Sequence, residues 1–359
     1  MKKRIAFFLT LALVLGLLAG CAGTPVVYYT NCTCPTGSHD AAAPVVDETE
    51  APAVSEGAVK NGLAILADVS GSKSADAENN GEAKYDVTLV AVTVDDNGVI
   101  TDCIIDSVGA SVAFGATGEP VDAAASVEVL TKTELGDAYG MKAYGGAAYE
   151  WYEQAGALAD YAVGKTVEEL KAGAVDETGH AADADLATSA TIYLGGYVSA
   201  VEAAVANAKH LGAQAGDELK LASINSLDAT PGEGQGGAAQ LSMDVTALTM
   251  NGDTITSCCI DALQAEVTFD TTGAITSDLA APQTKNQLGE AYGMKAYAGS
   301  RYEWNEQAAN FAAYVTGKTA SDVALIHVDE ATKPTDADLA TSVTIAIGGF
   351  QDLIAKAVR

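Results

Sequence analysis

Two stretches of β-branched and apolar residues, each folded back on itself by an Asn-Gly turn, organise the pattern of this chain. Val87-Thr88-Leu89-Val90-Ala91-Val92-Thr93-Val94 is strongly β-prone, Asp96-Asn97-Gly98 follows as a hairpin turn, and Val99 to Ile105 runs back as the partner strand. The same arrangement returns as Val245 to Met250, Asn251-Gly252, and Thr254 to Ile260. After each hairpin and a variable loop, apolar residues fall at helical spacing over Tyr149 to Val163 and over Tyr302 to Val315. Both runs end at a glycine, Gly164 or Gly317, as a helix C-terminus does. Thr166-Val167-Glu168-Glu169 reads as a capping box opening a further short helix. Ile192 to Ala208 and Ile345 to Val358 read as closing helices. Strands first and helices afterwards predict an α+β fold with an antiparallel sheet and flanking helices.

The likeness of the two stretches is a duplication. Leu135–Thr191 matches Leu288–Thr344 without a gap at an offset of 153, and Ile100–Gly118 matches Ile255–Gly273 at 155, pairing Asp106 with Asp261 and Phe114 with Phe269. Tyr139-Gly140-Met141-Lys142-Ala143-Tyr144 recurs unchanged as Tyr292-Gly293-Met294-Lys295-Ala296-Tyr297. Solenoid repeats have periods of about 20–50 residues, so a whole domain is copied here. The predicted organisation is two tandem domains, 61–212 and 213–359, after a leader and a tether.

The leader is Lys2-Lys3-Arg4 followed by an apolar run from Ile5 to Leu18, too short for a bilayer span. Leu18-Ala19-Gly20-Cys21 then resembles a lipobox rather than an Ala-x-Ala cleavage site. That resemblance implies a signal peptide over 1–20, lipid on Cys21, and a protein held at the outer face of the cell membrane without spanning it. Residues 24 to 60, rich in Ala, Pro, Val, Asp and Glu, bury too little apolar area to offset chain entropy and read as a disordered tether.

A formal net charge of −29 repels phosphodiester backbones and excludes nucleic acid as a partner. The six cysteines, Cys21, Cys32, Cys34, Cys103, Cys258 and Cys259, are too sparse for a disulfide framework and lack zinc-site spacing. Cys103 and Cys258 occupy matching positions and read as small buried apolar side chains. Histidine chemistry fails the duplication: His180 aligns with Lys333, His327 with Ala174, and His39 and His210 lie outside the repeat. A zinc hydrolase or a Ser-His-Asp centre then lacks its base. Gly232-Glu233-Gly234-Gln235-Gly236-Gly237 has no following Lys-Ser/Thr and no counterpart in the first copy, so it reads as a loop rather than a phosphate cradle.

What remains is a heptapeptide before each closing helix. Asp185-Leu186-Ala187-Thr188-Ser189-Ala190-Thr191 recurs as Asp338-Leu339-Ala340-Thr341-Ser342-Val343-Thr344. One reading is an N-cap, with Thr188 or Thr191 satisfying free amides of the helix that follows. The other places a phosphate beside the threonine at the positive end of that helix.

The heptapeptide resembles the flavinylation motif of the FMN-binding domain family, Asp-x-x-Ser/Thr-Gly/Ser-Ala-Thr/Ser. The resemblance covers both copies, and with the lipobox the chain is similar to flavinylated surface lipoproteins of extracellular electron transfer in Gram-positive bacteria. It implies FMN joined by a phosphoester bond to Thr191, and to Thr344 in the second copy, by a magnesium-dependent flavin transferase. Asp185, Thr188 and Ser189, with Asp338, Thr341 and Ser342, complete the two motifs. Val343 replaces the motif's alanine, and its extra branching is expected to make Thr344 the poorer acceptor. Tyr139, Tyr144 and Trp151, with Tyr292, Tyr297 and Trp304, serve either to stack on a flavin or to pack the core. Met141 and Met294 read as gap-fillers. Lys142 and Lys295 serve either a flavin phosphate or the solvated surface.

The implied function is an electron carrier, not an enzyme, that takes electrons from a membrane donor and passes them to an extracellular acceptor. The protein would supply attachment and electrostatics, and its acidic surface should lower the flavin potential. Two alternatives remain: a lipoprotein that binds flavin or another small ligand non-covalently, and a surface antigen without redox chemistry.

Overall fold

Strands with stretches buried on both faces dominate the fold, and this explains why apolar runs such as Leu89-Val90-Ala91-Val92 stand beside segments that alternate with Lys, Asp, Ser and Thr. The computed structural model describes residues 57–121, 126–232 and 234–359. The signal peptide, Cys21, most of the tether, Cys32, Cys34 and His39 lie outside the described residues. In the first copy, strands β1 (Lys60–Asp68), β2 (Gly81–Val94) and β3 (Ile100–Phe114) form an antiparallel sheet in that order. A two-residue strand β4 (Val127–Glu128) follows, then α1 (Lys132–Leu135), a 3-10 turn (Gly136–Tyr139) and α2 (Met141–Gly145). Four further helices complete the copy: α3 (Trp151–Ala162), α4 (Val167–Ala174), α5 (Ala184–Ser189) and α6 (Gly195–Asn207).

The second copy repeats the order with β5 (Glu218–Pro231), β6 (Gly237–Asn251) and β7 (Thr254–Phe269). Then come α7 (Lys285–Leu288), a 3-10 turn (Gly289–Tyr292), α8 (Met294–Ala298), α9 (Trp304–Val315), α10 (Ala320–Ala324), α11 (Ala337–Ala340) and α12 (Gly348–Ala357).

The period-2 geometry of each strand splits its residues between two cores. Leu63, Ile65 and Ala67 of β1, with Val87, Leu89 and Ala91 of β2, face Leu241, Met243 and Val245 of β6 and Leu263, Val267 and Phe269 of β7 in one central cluster. Ala64, Val90, Val92 and Val94, on the opposite face, pack under α3 and α6 of their own copy. Leu248, Met250, Cys258 and Ile260 do the same under α9 and α12. The layers therefore run helices, sheet, sheet, helices, with the two copies back to back.

The expected antiparallel sheets with flanking helices are present. The two copies, however, are lobes of one compact unit, because the central core belongs to both. Phe114 and Phe269, matched by the duplication, stack across the seam with ring centroids 3.8 Å apart and planes 2° from parallel. The buried Tyr85 hydroxyl donates to the Ala239 carbonyl of the other lobe at 2.6 Å. Asn61 Nδ2 donates to Ala247 O at 3.1 Å and to Ser257 Oγ at 2.9 Å. The short β4 leaves its own copy to pair with β5, where Asn225 Nδ2 donates to Val129 O at 3.0 Å.

Two glycines permit close approaches that a Cβ would block. A Cβ on Gly62 would lie 2.2 Å from Ala204 O, so its absence lets α6 press onto β1. Gly236, at φ +94°, would carry a Cβ 2.0 Å from Phe269 O. That close contact is what Gly236 serves in the glycine-rich loop.

A core shared between lobes makes their unfolding one event. A single calorimetric transition is expected. Phe114→Ala should lower that one transition by about 3–5 kcal/mol of stability. Two resolved transitions, only one of them shifted, would contradict the shared core.

Candidate functional site

The heptapeptide divides between a helix and the connection after it. Asp185 to Ser189 lie in α5, whose N-cap is Asp183: its Oδ1 accepts from the amides of Asp185 (2.9 Å) and Leu186 (3.1 Å). Asp336 does the same for α11. The expected capping of the following helix by Thr188 or Thr191 is corrected: α6 begins only at Gly195, its N-cap position is Leu194 and no side chain caps it, while Ile347 stands in the same place before α12. Thr188 Oγ1 instead turns back to Asp185 O at 2.7 Å, and Thr341 Oγ1 to Asp338 O at 2.8 Å. Ser189 Oγ lies 3.5 Å from Thr188 Oγ1, and Ser342 Oγ donates to Leu339 O at 3.4 Å.

Thr191 and Thr344 stand apart from these. Each is exposed, in an extended connection of a few residues that leads to α6 or α12. Their neighbours hold the connection down: Ala190 and Leu194 are buried in one lobe, Val343 and Ile347 in the other. Val343 is fully buried among the helices of its lobe, so its branches occupy core volume and do not stand beside the exposed hydroxyl. The expected handicap of Thr344 therefore has no steric basis at the surface.

A glutamine meets each threonine from below. Gln154 of α3, fully buried, places Oε1 2.8 Å from Thr191 N, 3.2 Å from Thr191 Oγ1 and 3.2 Å from Ile192 N. Gln307 of α9 repeats this with Thr344 N at 2.8 Å, Thr344 Oγ1 at 3.1 Å and Ile345 N at 3.2 Å. The far side of each amide is also fixed. Gln154 Nε2 donates to Tyr149 O at 3.0 Å and lies 3.8 Å from Met141 Sδ. Gln307 Nε2 donates to Tyr302 O at 3.0 Å and lies 3.9 Å from Met294 Sδ. Sequence reasoning missed both glutamines, although they match at the same offset as the motif.

The flagged aromatics separate by burial. Trp151 and Trp304 are core residues, 3% and 6% exposed, and Trp151 Nε1 donates to Tyr197 at 3.0 Å. Tyr144 and Tyr297 are 90% and 80% exposed. Lys142 and Lys295 are tied to Glu153 at 3.1 Å and Glu306 at 2.7 Å. The duplicated cations that meet aromatic faces are instead Lys165 and Lys318, over Tyr161 and Tyr314, and, nearer the flagged aromatics, Lys132 and Lys285. Lys132 Nζ lies 5.3 Å from the Tyr139 ring and 5.1 Å from Trp151; Lys285 Nζ lies 5.2 Å from Tyr292 and 5.0 Å from Trp304. Cys103 and Cys258 are buried, which pushes both thiols up to about 12 and leaves them unreactive.

A polar cleft of roughly 580 Å3 opens in the second lobe between Tyr314, Lys318, Asp322, His327 and Asp336. Thr344 is not among its lining residues, so this cleft and the motif threonine are separate features.

Asp106 and Asp261 pin the short helices that carry Lys132 and Lys285. Asp261 Oδ1 accepts from Ala262 N at 2.7 Å and Asn286 N at 3.0 Å; Asp106 Oδ1 accepts from Ser107 N at 2.7 Å and Thr133 N at 3.2 Å. Burial raises both carboxyls, that of Asp261 to about 6, against the opposing hydrogen bonds from Thr284 and Asn286. Compared with protein-family models, curated proteins and solved structures, the chain matches none.

The folded Asp261 holds its proton more tightly than the unfolded one, whose value is near 3.8. Its stabilisation is complete below that value and lost as pH rises through 6. Asp261→Asn keeps an oxygen for the two amides and removes the buried charge. It should be more stable than the parent at pH 8, by at most about 3 kcal/mol at 1.4 kcal/mol per pH unit. Urea unfolding should show the two converging at pH 4, and an unchanged difference at both pH values would refute the assignment.

Proposed function

We propose that this protein is a lipid-anchored extracellular electron carrier, with FMN joined through phosphoester bonds to Thr191 and Thr344. One observation carries the reading: the last threonine of both motif copies is exposed, and both are held in the same geometry by a buried glutamine. Thr188 and Thr341 turn their hydroxyls back to Asp185 O and Asp338 O, which supports the last threonine over them as the acceptor. Its hydroxyl meets a neutral amide, so the chain supplies no base at that atom and must be modified by another protein.

The residues around the threonine fit a phosphate ester. Among the described residues no carboxylate bonds to Thr191 or Thr344, and no side chain caps α6 or α12, whose first two residues are Gly195-Gly196 and Gly348-Gly349. The amides of such a helix start favour a nearby anion. Bound FMN would supply the one- and two-electron chemistry, and the chain its attachment, exposure and negative surround. Electrons would come from a membrane donor and leave to an extracellular acceptor.

Co-expression with a magnesium-dependent flavin transferase tests this. Denaturing electrophoresis should show flavin fluorescence on the protein band, about halved in Thr191→Ala and in Thr344→Ala and absent in the double variant. Flavin that leaves on denaturation would instead mean non-covalent binding. Protein that never acquires flavin would exclude a redox role.

A further inference from the structure

Gln154 and Gln307 do more than fill space beneath the motif, as their atoms show. Each amide nitrogen faces acceptors, a tyrosine carbonyl and a methionine sulfur, which fixes the carbonyl oxygen toward the threonine. That oxygen already receives two backbone N–H groups and cannot donate. In the contact with that oxygen the threonine hydroxyl is the donor, so its proton is turned inward at the glutamine. Its lone pairs then face outward to solvent.

We infer that Gln154 and Gln307 are positioning residues, which orient the Thr191 and Thr344 hydroxyls for attack on an incoming flavin pyrophosphate. This rests on the proposed flavin attachment. In the step, threonine Oγ forms a bond to the flavin-side phosphorus and the P–O–P bridge breaks. The nucleoside monophosphate leaves with the electron pair; as the Oγ–P bond forms, the hydroxyl proton leaves the glutamine contact and is taken up by a base of the transferase. The glutamine keeps its two backbone partners when that proton is lost. The hydroxyl contact, at 3.2 Å and 3.1 Å, is longer than the 2.8 Å amide contacts beside it, and so the readier to break. Esterification thus leaves no buried acceptor unpaired.

The full chain carries its own control, since each lobe has one threonine and one glutamine. Transferase assays at saturating flavin dinucleotide, read by peptide mass spectrometry, give the loading rate of Thr191 and Thr344 in the same molecules. Gln154→Leu should slow Thr191 by on the order of 10- to 100-fold in maximal rate. Thr344 should load at the parental rate. Gln307→Leu should reverse the pattern.

Gln154→Glu supplies the conservative rescue. A protonated glutamic acid keeps both the carbonyl acceptor and a donor for Tyr149 O, so loading should be restored at low pH. It should fall as the carboxyl ionises, while Thr344 keeps the parental pH profile. If Thr191 in Gln154→Leu loads as fast as in the parent, or if Gln154→Glu shows no pH dependence of its own, the positioning role is wrong and flavin attachment stands. If the parent itself never gains flavin at either threonine, the attachment reading fails, and this role with it.

Discussion

Everything in this molecule hangs on the face that the two sheets share. Each sheet, one of three strands and one of four, buries apolar residues on both sides, and an uncovered apolar face would lie open to water. The copies resolve this by packing that face on each other, and the outer faces are then left for the helices. Burial of Tyr85, Phe114 and Phe269 at the seam makes the lobes mutually dependent. The crossing of β4 into the other copy's sheet, and the Glu134–Lys356 ion pair between copies, extend that dependence beyond the central core. A duplicated gene segment here produced one body with two outward-facing surfaces, not two beads on a string.

The motif site inherits its geometry from that arrangement. The central core fixes the sheets, and the sheets fix α3 and α9 by burying Trp151, Ala155 and Leu158, or Trp304, Ala308 and Phe311, against their outer faces. On the same helices Gln154 and Gln307 follow the tryptophans by three residues, nearly one turn, and so are carried inward. Buried polar groups need partners. Each glutamine finds them in a connection that lacks helical hydrogen bonds of its own. Glu150 and Glu303, buried helix N-caps, likewise accept the opening amides of α2 and α8. The site is therefore a set of backbone amides gathered by side chains that the core holds still.

How much of this could be read in the sequence follows the range of each interaction. The hairpins at Asp96-Asn97-Gly98 and Asn251-Gly252, the helix ends at Gly164 and Gly317, and the capping box at Thr166 to Glu169 depend on neighbours a few residues away, and all were legible. Strands β1 and β5 were not. Lys60-Asn61-Gly62-Leu63-Ala64 mixes a glycine and an asparagine into a short apolar run, and both residues are there for distant partners, Ala204 of α6 and Ser257 of β7. The shared core was invisible for a related reason. A strand buried on both faces shows no alternation to reveal what covers its second face. The N-cap misreading had a local cause: the closing helices begin at Gly195 and Gly348, a few residues after Thr191 and Thr344, so the hydroxyl-rich motif lies before the helix start and not at it.

The duplication also sharpens what the motif positions mean. Independent drift of two lobes leaves differences wherever packing tolerates them: Phe350 stands where Tyr197 does, Asn305 where Tyr152 does, and Val343 where Ala190 does. The Val343 change falls inside the core, where its volume is taken up among neighbours such as Leu339 and Ile347. The glutamine, the threonine and the three contacts between them keep the same atoms, with matching distances agreeing to 0.1 Å. Core packing alone does not require this, since an apolar side chain with a different loop path would fill the same space. A buried amide that accepts from a surface hydroxyl is costly to leave unpaired and useful only if that hydroxyl's direction matters. That it is present twice, beneath the only motif residue whose side chain reaches it, is why the two threonines are read as equal sites.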